Sequence, residues 1–222
     1  RTKSRGLGDV YKRQVNASTP NAIGNLGIGF DLSKVSFSSN NLGDRDRTML
    51  NIFIEQKIDF QNEKIDLTPG VAITHFSDVS TRLNYQSNFF NNLFFYPGMD
   101  LGYRVNQNLK LYSNIGYTYR IPTYTDLFYS SPTTLGNENL KLEKALTKEF
   151  GLKYLKNNFN LSMSLYQRDA SDIIDYVKNN EAEPWQASNI REIITNGFEL
   201  SMGYKFYLGA FRPQSINTVS YT

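Results

Sequence analysis

The chain has 222 residues, with 24 basic and 21 acidic side chains, 14% aromatic residues and no cysteine. This near balance of charge gives no basic stripe for nucleic acid, and the lack of cysteine excludes a disulfide framework and a cysteine-based metal site. No stretch approaches the roughly 18 consecutive apolar residues of a transmembrane helix. A helical membrane protein is therefore excluded, but a membrane β-barrel is not, because its alternating strands have the mean hydropathy of a soluble protein.

The first segment, residues 1–14, reads "RTKSRGLGDVYKRQ" and has five cations but no continuous apolar stretch, so it is not a signal peptide. "DVYKRQ" is the translation of GAT GTG TAT AAG AGA CAG, which resembles the end sequence left by a sequencing-library transposase. We interpret residues 1–14 as a non-native, adapter-derived segment, the alternative being a natural basic linker, and residues 15–222 as a partial β-barrel. Alternation continues through the final "SINTVSYT", which indicates a fragment.

Apolar and polar residues alternate with period two along most of the remaining chain, as in Leu161, Met163 and Leu165, which Ser162 and Ser164 separate. This period is typical of strands with one apolar and one polar face. Many of these runs exceed the roughly 5–6 residues of an average soluble strand and reach the about 9–11 that cross a bilayer. About nine strands are predicted: 22–37, 48–60, 64–75, 93–105, 109–120, 144–156, 159–177, 188–206 and 214–222.

The connections between these strands alternate in length. Short turns are expected at 62–63, 106–108 and 157–158, with a somewhat longer link at 207–213, and long loops at 38–47, 76–92, 121–143 and 178–187. Short turns at one rim and long loops at the other are typical of an up-and-down antiparallel barrel in an outer membrane. The predicted lipid-facing residues are Leu111, Ile115, Leu152, Leu161, Met163 and Leu200, and the predicted lumen-facing residues are Lys110, Asn114, Lys153, Ser162 and Glu199.

The stretch "YRIPTYTDLFYSSPTTLGNENLKLEKALTKEFGLKY", residues 119–154, carries a resemblance. It is similar to a hallmark of TonB-dependent outer-membrane receptors, an Arg-hydrophobic-Pro-Thr turn followed by an aromatic loop and Gly-Asn-x-x-Leu-x-x-Glu. The matching residues are Arg120, Pro122, Thr123, Gly136, Asn137, Leu140, Glu143 and Lys144. Two later stretches, "LYQRDASDIIDYV" and "TNGFELSMGYKF", resemble the following strands, the second through Gly197, Phe198 and Glu199. The resemblance covers about residues 22–222, and no segment resembles the family's plug domain or energy-coupling box.

This resemblance implies an energy-coupled importer in the outer membrane of a Gram-negative bacterium. Its implied partners are outer-membrane lipid, the TonB complex acting through the missing plug, and a bulky nutrient at the extracellular face. Aromatic loop residues suit such a ligand, and the ligand-binding candidates are Tyr85, Phe89, Phe90, Tyr124, Phe128, Tyr129 and Trp185. "PTYTDLFY" and "SDIIDY" most resemble the vitamin B12 (cobalamin) receptors of the family, with a siderophore or a glycan as alternatives.

Physical reasons are available for several of the matching positions. Pro122 lacks an N–H and favours an extended Ile121, so it ends a ladder. Glu143 is placed to pair with Arg120 across the rim, the alternative being two solvated charges. Gly136-Asn137 is a turn signal that tolerates positive φ, and Gly197 inside a strand indicates a bulge or a close backbone approach.

Catalytic and metal sites have no candidates. The sequence contains no nucleophile motif and no phosphate loop, so neither an enzyme nor a cofactor is predicted. In "GDRDR", residues 43–47, the two aspartates are expected to neutralise the two arginines rather than to bind a cation. A passive porin, a barrel adhesin and a soluble all-β binding protein remain as other classes.

Overall fold

A computed structural model describes residues 7–39, 42–80, 85–86, 93–206 and 214–221. It is built almost entirely of strands. The elements in chain order are β1 (Leu7–Asn21), β2 (Gly24–Ser39), β3 (Gly43–Phe60), β4 (Ile65–Ser80), β5 (Tyr85–Gln86), β6 (Leu93–Arg104), β7 (Leu109–Arg120), α1 (Tyr124–Phe128), β8 (Thr134–Leu135), β9 (Glu143–Lys156), β10 (Phe159–Val177), β11 (Trp185–Phe206) and β12 (Gln214–Tyr221).

The strands form one sheet in the order β1-β2-β3-β4-β6-β7-β9-β10-β11-β12, while β5 pairs with β4 and β8 with β11. All neighbours along this order are antiparallel and follow one another along the chain, so the topology is up-and-down. Among the described residues β1 and β12 do not pair, and the sheet is open. Within the same residues, no helix is long and apolar enough to cross a membrane.

The structure confirms the predicted all-β barrel architecture and each of the nine predicted strands. It adds β1, which the sequence analysis did not predict and which overlaps residues 1–14; the adapter-derived origin of that segment stays a prediction. One predicted long loop, 38–47, is wrong, because β2 continues to Ser39 and β3 begins at Gly43. These positions are nearly all polar, with Leu42 as the single apolar side chain, so no alternation of polar and apolar residues was available there to predict a strand.

The two faces of the sheet divide as predicted. Residues directly opposite in a ladder share a face, and Leu152 lies opposite both Leu111 and Met163. Lys153, one residue further, lies opposite Lys110 and Ser162. We call these the apolar face and the polar face.

Rows of polar residues cross the apolar face in cross-strand register toward its loop end. One row joins Lys148, Gln167 and Asn196 across β9, β10 and β11, and another joins Lys34, Thr48 and Ser77 across β2, β3 and β4. Lys148 lies about 26 Å along its strand from the turn after β9, at roughly 3.3 Å per residue. In a tilted strand this length corresponds to about 20 Å of height, close to the ~25 Å apolar band of outer-membrane barrels.

Glycines on the polar face make room for large side chains of the neighbouring strand. A Cβ at Gly197 would lie 2.2 Å from the ring of Tyr166, and one at Gly151 would lie 2.5 Å from the ring of Tyr112. Each tyrosine is the direct ladder partner of its glycine. The prediction of a bulge or a close backbone approach at Gly197 is wrong in its cause, because the approaching group is the side-chain ring of Tyr166 and the strand has no bulge there.

The buried apolar cluster lies at the loop end of the polar face. Its fully buried members are Phe76, Leu127, Leu140, Leu142 and Ala187. Phe76 belongs to β4 and Ala187 to β11, while the three leucines belong to the connection between β7 and β9. This connection, residues 121–142, is hereafter the capping loop, and the cluster fixes it against the sheet.

Candidate functional site

The capping loop contains a short helix, α1, that the sequence analysis did not predict. Thr123 is its N-cap: the Thr123 hydroxyl accepts a hydrogen bond from Asp126 N at 3.1 Å, and the Asp126 carboxylate accepts one from Thr123 N at 2.9 Å. This reciprocal pair is a capping box. Its Thr-x-x-Asp spacing was present in the sequence and is the signal that could have predicted the helix. Pro122, directly before it, ends β7 as predicted and is fully buried.

A buried ion pair holds α1 to strands β3 and β4. Arg47 Nε and Nη2 each donate to one Asp78 carboxylate oxygen at 2.7 Å, and the two side chains are only 12% and 5% exposed. The remaining donor positions of Arg47 reach the Pro122 carbonyl, with Nη1 and Nη2 each at 3.1 Å. A guanidinium with its donors engaged in this way connects three segments of the chain at once.

Tyr124 completes this buried group. Its hydroxyl donates to Asp78 Oδ1 at 3.3 Å, and its ring centroid lies 4.7 Å from the Arg47 guanidinium carbon. Burial, followed by the charge of the Asp78 carboxylate, raises the pKa of Tyr124. The phenol therefore keeps its proton and remains a donor to Asp78 at neutral pH. We call Arg47, Asp78, Pro122 and Tyr124 the latch.

An aromatic and cationic cluster lies beside the latch. The ring centroid of Phe37 is 4.9 Å from that of Tyr124, and the Arg45 guanidinium carbon lies 3.6 Å above the ring centroid of Phe128. Arg45 also donates from Nε to the Leu42 carbonyl at 2.9 Å. Cation–π contacts of this kind attract the guanidinium to the ring face. Two of the predicted ligand-binding rings, Tyr124 and Phe128, are thus already in contact with the wall of the sheet.

The predicted rim pair is present, and it is more than two solvated charges. Arg120 Nε and Nη2 donate to the two Glu143 carboxylate oxygens at 2.6 and 2.5 Å, and Arg120 Nη1 approaches Asp126 at 3.3 Å. Glu143 also accepts from Ile174 N at 2.9 Å, where a bulge in β10 frees that amide from the ladder. Both residues lie about twelve or more positions above the short turns, beyond the apolar band.

The hydrogen bond from Arg120, with a smaller contribution from Ile174 N, holds the pKa of Glu143 below its ordinary value. The carboxylate therefore stays ionised at pH values at which an ordinary glutamate begins to protonate. The ion pair between the end of β7 and the start of β9 persists over the same range.

Gly136 and Asn137 fasten the capping loop to α1, although not in the way predicted, because neither has a positive φ. A Cβ at Gly136 would lie 2.7 Å from the Leu127 carbonyl carbon and the Phe128 nitrogen. Gly136 N donates to the Tyr129 carbonyl at 2.6 Å, and Asn137 N donates to the Asp126 carbonyl at 2.8 Å. Glycine is required here because one backbone segment lies directly on another.

Substitution of Gly136 by alanine is expected to destabilise the capping loop by about 1–3 kcal/mol, because the added methyl group overlaps backbone atoms that cannot move aside independently. In the intact protein, the effect is measured as faster hydrogen exchange in peptides from the capping loop of the Gly136→Ala variant. Gly116→Ala is the matched control, since its Cβ would have its nearest neighbour at 3.8 Å. Equal exchange in both variants would contradict the packing explanation.

The other side of the capping loop is attached to β11. β8 pairs in parallel with Trp185 and Gln186, and Asn137 Nδ2 donates to the Ala187 carbonyl at 3.1 Å. Asn189 exchanges hydrogen bonds with Lys141, accepting from its N–H at 2.7 Å and donating to its carbonyl at 3.1 Å. The capping loop thus extends over the end of the polar face from β3 to β11 and is tied down at both sides.

The predicted ligand-binding residues occupy different positions. Tyr124, Phe128 and Tyr129 are half-buried in the capping loop, and Trp185 at the start of β11 is 45% exposed with Lys178 Nζ 4.9 Å from its ring centroid. The side chain of Tyr85 and the whole of Phe89 and Phe90 lie outside the described residues. Tyr124, Phe128 and Tyr129 thus lie together in the capping loop. The ligand-binding role of all seven residues stays a prediction.

Sequence reasoning missed the arginines of "GDRDR" and their partner Asp78. The expectation that the aspartates neutralise the arginines is wrong, because successive residues of a strand point to opposite faces. Arg45 and Arg47 lie on the polar face under the capping loop, whereas Asp44 and Asp46 accept hydrogen bonds from Ser38 and Ser36. Period-two alternation in those five residues was the signal that separates them.

Comparison with known proteins gives matches over nearly the whole chain. The family model described as TonB dependent receptor-like, beta-barrel matches residues 3–222. The vitamin B12 transporter BtuB of Photobacterium profundum is 28% identical over 105 residues, which are 46% of this chain and 17% of that protein. The BtuB of Vibrio vulnificus is 26% identical over 102 residues, 46% of this chain and 16% of that protein. The chain thus spans less than a fifth of the length of these curated relatives.

Solved structures show the same fold. The siderophore receptor PirA from Pseudomonas aeruginosa superposes with a TM-score of 0.74 at 15% identity, over 97% of this chain and 42% of that one. The copper transporter OprC superposes with a TM-score of 0.72 at 17% identity, over 98% of this chain and 39% of that one.

Proposed function

The chain belongs to the TonB-dependent receptor β-barrel family, and from that premise we propose that the intact protein imports a bulky nutrient across an outer membrane with energy supplied through TonB. The family consists of transport receptors, which are not enzymes. The observation that supports a receptor with a built binding surface is the capping loop, whose aromatic rings are held over the polar face by the latch. A passive pore has no need of such a structure at its mouth.

Cobalamin is the ligand that we propose. The vitamin B12 transporters named above are similar to the chain in sequence. The exposed and half-buried rings of Tyr129, Phe128 and Trp185 provide flat apolar surfaces of the kind that suit a large ring-shaped ligand. A siderophore or a glycan offers comparable surfaces and is the alternative within the family.

Two experiments test this proposal. Ligand binding is measured on the intact receptor purified in detergent, and uptake is measured in bacteria that lack their own cobalamin receptor and express the intact protein. We expect saturable binding of cyanocobalamin and uptake that stops when TonB is deleted. Binding of a ferric siderophore or a glycan in place of cyanocobalamin would contradict the proposed ligand but would still support the proposed receptor function. Uptake that is unaffected by the TonB deletion would instead indicate a passive porin, and an adhesin would show no uptake at all.

Removing the Tyr129 side chain separates ligand contact from loop packing. In Tyr129→Ala we expect cyanocobalamin affinity to fall by about 0.5–1.5 kcal/mol, the amount that one aromatic contact supplies beyond its area, with unchanged proteolysis of the capping loop. In Tyr124→Ala we expect weaker binding together with faster proteolysis, because Tyr124 also donates to Asp78. Tyr117→Ala, an exposed tyrosine of the apolar face, is the control. Unchanged binding in both loop variants would remove the capping loop from the ligand site.

A further inference from the structure

We infer that a pocket in the polar face, below the capping loop and between β7, β9, β10 and β11, binds an oxyanion group of the imported ligand through Arg168. The pocket has a volume of about 310 Å³. The inference rests on the proposed function in one respect only, that the oxyanion belongs to a ligand entering the barrel.

The floor of the pocket is made of small side chains in direct cross-strand register. Ala145 lies opposite both Thr118 and Ala170. On neighbouring parts of the polar face Tyr112 and Tyr166 cover the glycines beside them. A row of small residues leaves a depression in the wall in which a charged group can approach the strands, with the exposed Arg168 at its side.

The charges around the depression are mostly positive. Arg120, Lys144 and Arg168 line the pocket, with Glu143 as the single lining carboxylate. Arg120 is paired with Glu143 and Asp126, and Lys144 lies 3.5 Å from Asp172. Within the described part of the chain, Arg168 forms no ion pair and no side-chain hydrogen bond, although its charge contributes to the lowered pKa of Glu143.

An unpaired guanidinium in this position is suited to one kind of ligand group. Its planar fork of N–H donors matches the oxygens of a carboxylate or a phosphate, to which it binds with two parallel hydrogen bonds. A cationic ligand group is disfavoured here by the charge of Arg168. Arg120 in turn is held by Glu143 and so keeps its place at the upper edge of the pocket rather than competing for the ligand.

The competing explanation is an ordinary solvated arginine on an aqueous wall. The two explanations differ in whether anions occupy a defined site, and this can be measured without knowledge of the natural ligand. In the intact receptor, phenylglyoxal modifies accessible arginines, and mass spectrometry of peptides gives the rate at each position. Inorganic phosphate and succinate are the probes, each compared with sodium chloride at equal ionic strength.

We expect millimolar phosphate or succinate to slow modification of Arg168 several-fold, while Arg104 and Arg191, which are paired with Glu63 and Asp175, show no difference from sodium chloride. Protection by phosphate alone assigns the site to a phosphate group, and protection by succinate alone assigns it to a carboxylate. Modification of Arg168 at the same rate in all three salts would overturn the inference.

Two variants make the test specific to the pocket. Thr118→Leu fills the exposed end of the floor and leaves Arg168 in place, so protection should disappear while the basal modification rate remains. Thr195→Ser, also on the lining, removes only a methyl group and should keep the protection. Persistent protection in Thr118→Leu would show that the pocket is not the site and would overturn the inference as well. A failure to bind cyanocobalamin, with protection by phosphate intact, would instead count against the proposed ligand alone.

Discussion

Replacing Arg47 with leucine is expected to release the capping loop from β3 and β4, lowering the free energy of its local opening by about 3–5 kcal/mol. The size of the effect follows from the buried polar groups that the substitution leaves without a partner. Asp78, only 5% exposed, would lose both of its charge-assisted hydrogen bonds, and the Pro122 carbonyl would lose its two donors. An unpaired carboxylate in such a position costs far more than the net contribution of the pair itself.

Hydrogen exchange of the segment around α1 in the intact receptor measures this opening directly. Arg104→Leu is the matched control, because its partner Glu63 is 3.6 Å away and both side chains are about half exposed or more. An exposed pair of this kind contributes only about 0–1 kcal/mol. Equal exchange in the two variants would mean that the latch does not hold the capping loop.

The latch also provides a test of whether charge or shape holds the capping loop. Removing both partners, with Arg47→Met and Asp78→Leu, leaves no buried charge without a counter-ion. Buried pairs exchanged for apolar residues of similar size are often neutral in stability. Hydrogen exchange of the capping loop should therefore be slower in the double variant than in Arg47→Leu, and comparison of the double variant with the single variants Arg47→Met and Asp78→Leu gives the coupling between the two residues.

Local pattern was sufficient to predict nine strands of the sheet, although not β1. Residues 109–120 and 159–177 were predicted with the bounds that β7 and β10 have, because apolar and polar residues begin to alternate there directly after a turn signal. The beginning of β3 was missed because "GDRDR" is charged, and charge was taken as a sign of a loop. In a barrel whose strands extend beyond the membrane, charged residues are as compatible with a strand as apolar ones.

The site depends on contacts that no local pattern contains. Arg47 lies 31 positions from Asp78 and 75 from Pro122. The resemblance to a family marked Gly136, Asn137 and Glu143 as important but gave the wrong reason for the first two. Their reason is a close approach between α1 and the chain that returns to β9, which depends on the three-dimensional path of the capping loop. Arg120 and Glu143 were predicted as a pair because they are the end and the start of neighbouring strands, where register alone brings them together.

The division of the sheet into an apolar and a polar face predicts that an arginine has very different effects on the two faces. Leu200 lies on the apolar face opposite Met163, and the adjacent Glu199 lies on the polar face opposite Ser164. In a tilted strand of a membrane barrel, Leu200 is near the middle of the apolar band. Leu200→Arg is therefore expected to lower the free energy of unfolding of the intact receptor in lipid by about 2–4 kcal/mol.

The adjacent residue is the control for this substitution. Glu199→Arg introduces the same side chain into the same strand, but toward the face that carries Lys153, Ser162 and Arg168, where water solvates it. Its effect on unfolding should be much smaller, and reversible denaturant titration of both variants in the same bilayer measures the difference. An effect of Glu199→Arg equal to or larger than that of Leu200→Arg would place the polar face against lipid. The capping loop and the Arg168 pocket would then lie outside the barrel, so this pair of substitutions tests the premise on which every ligand contact depends.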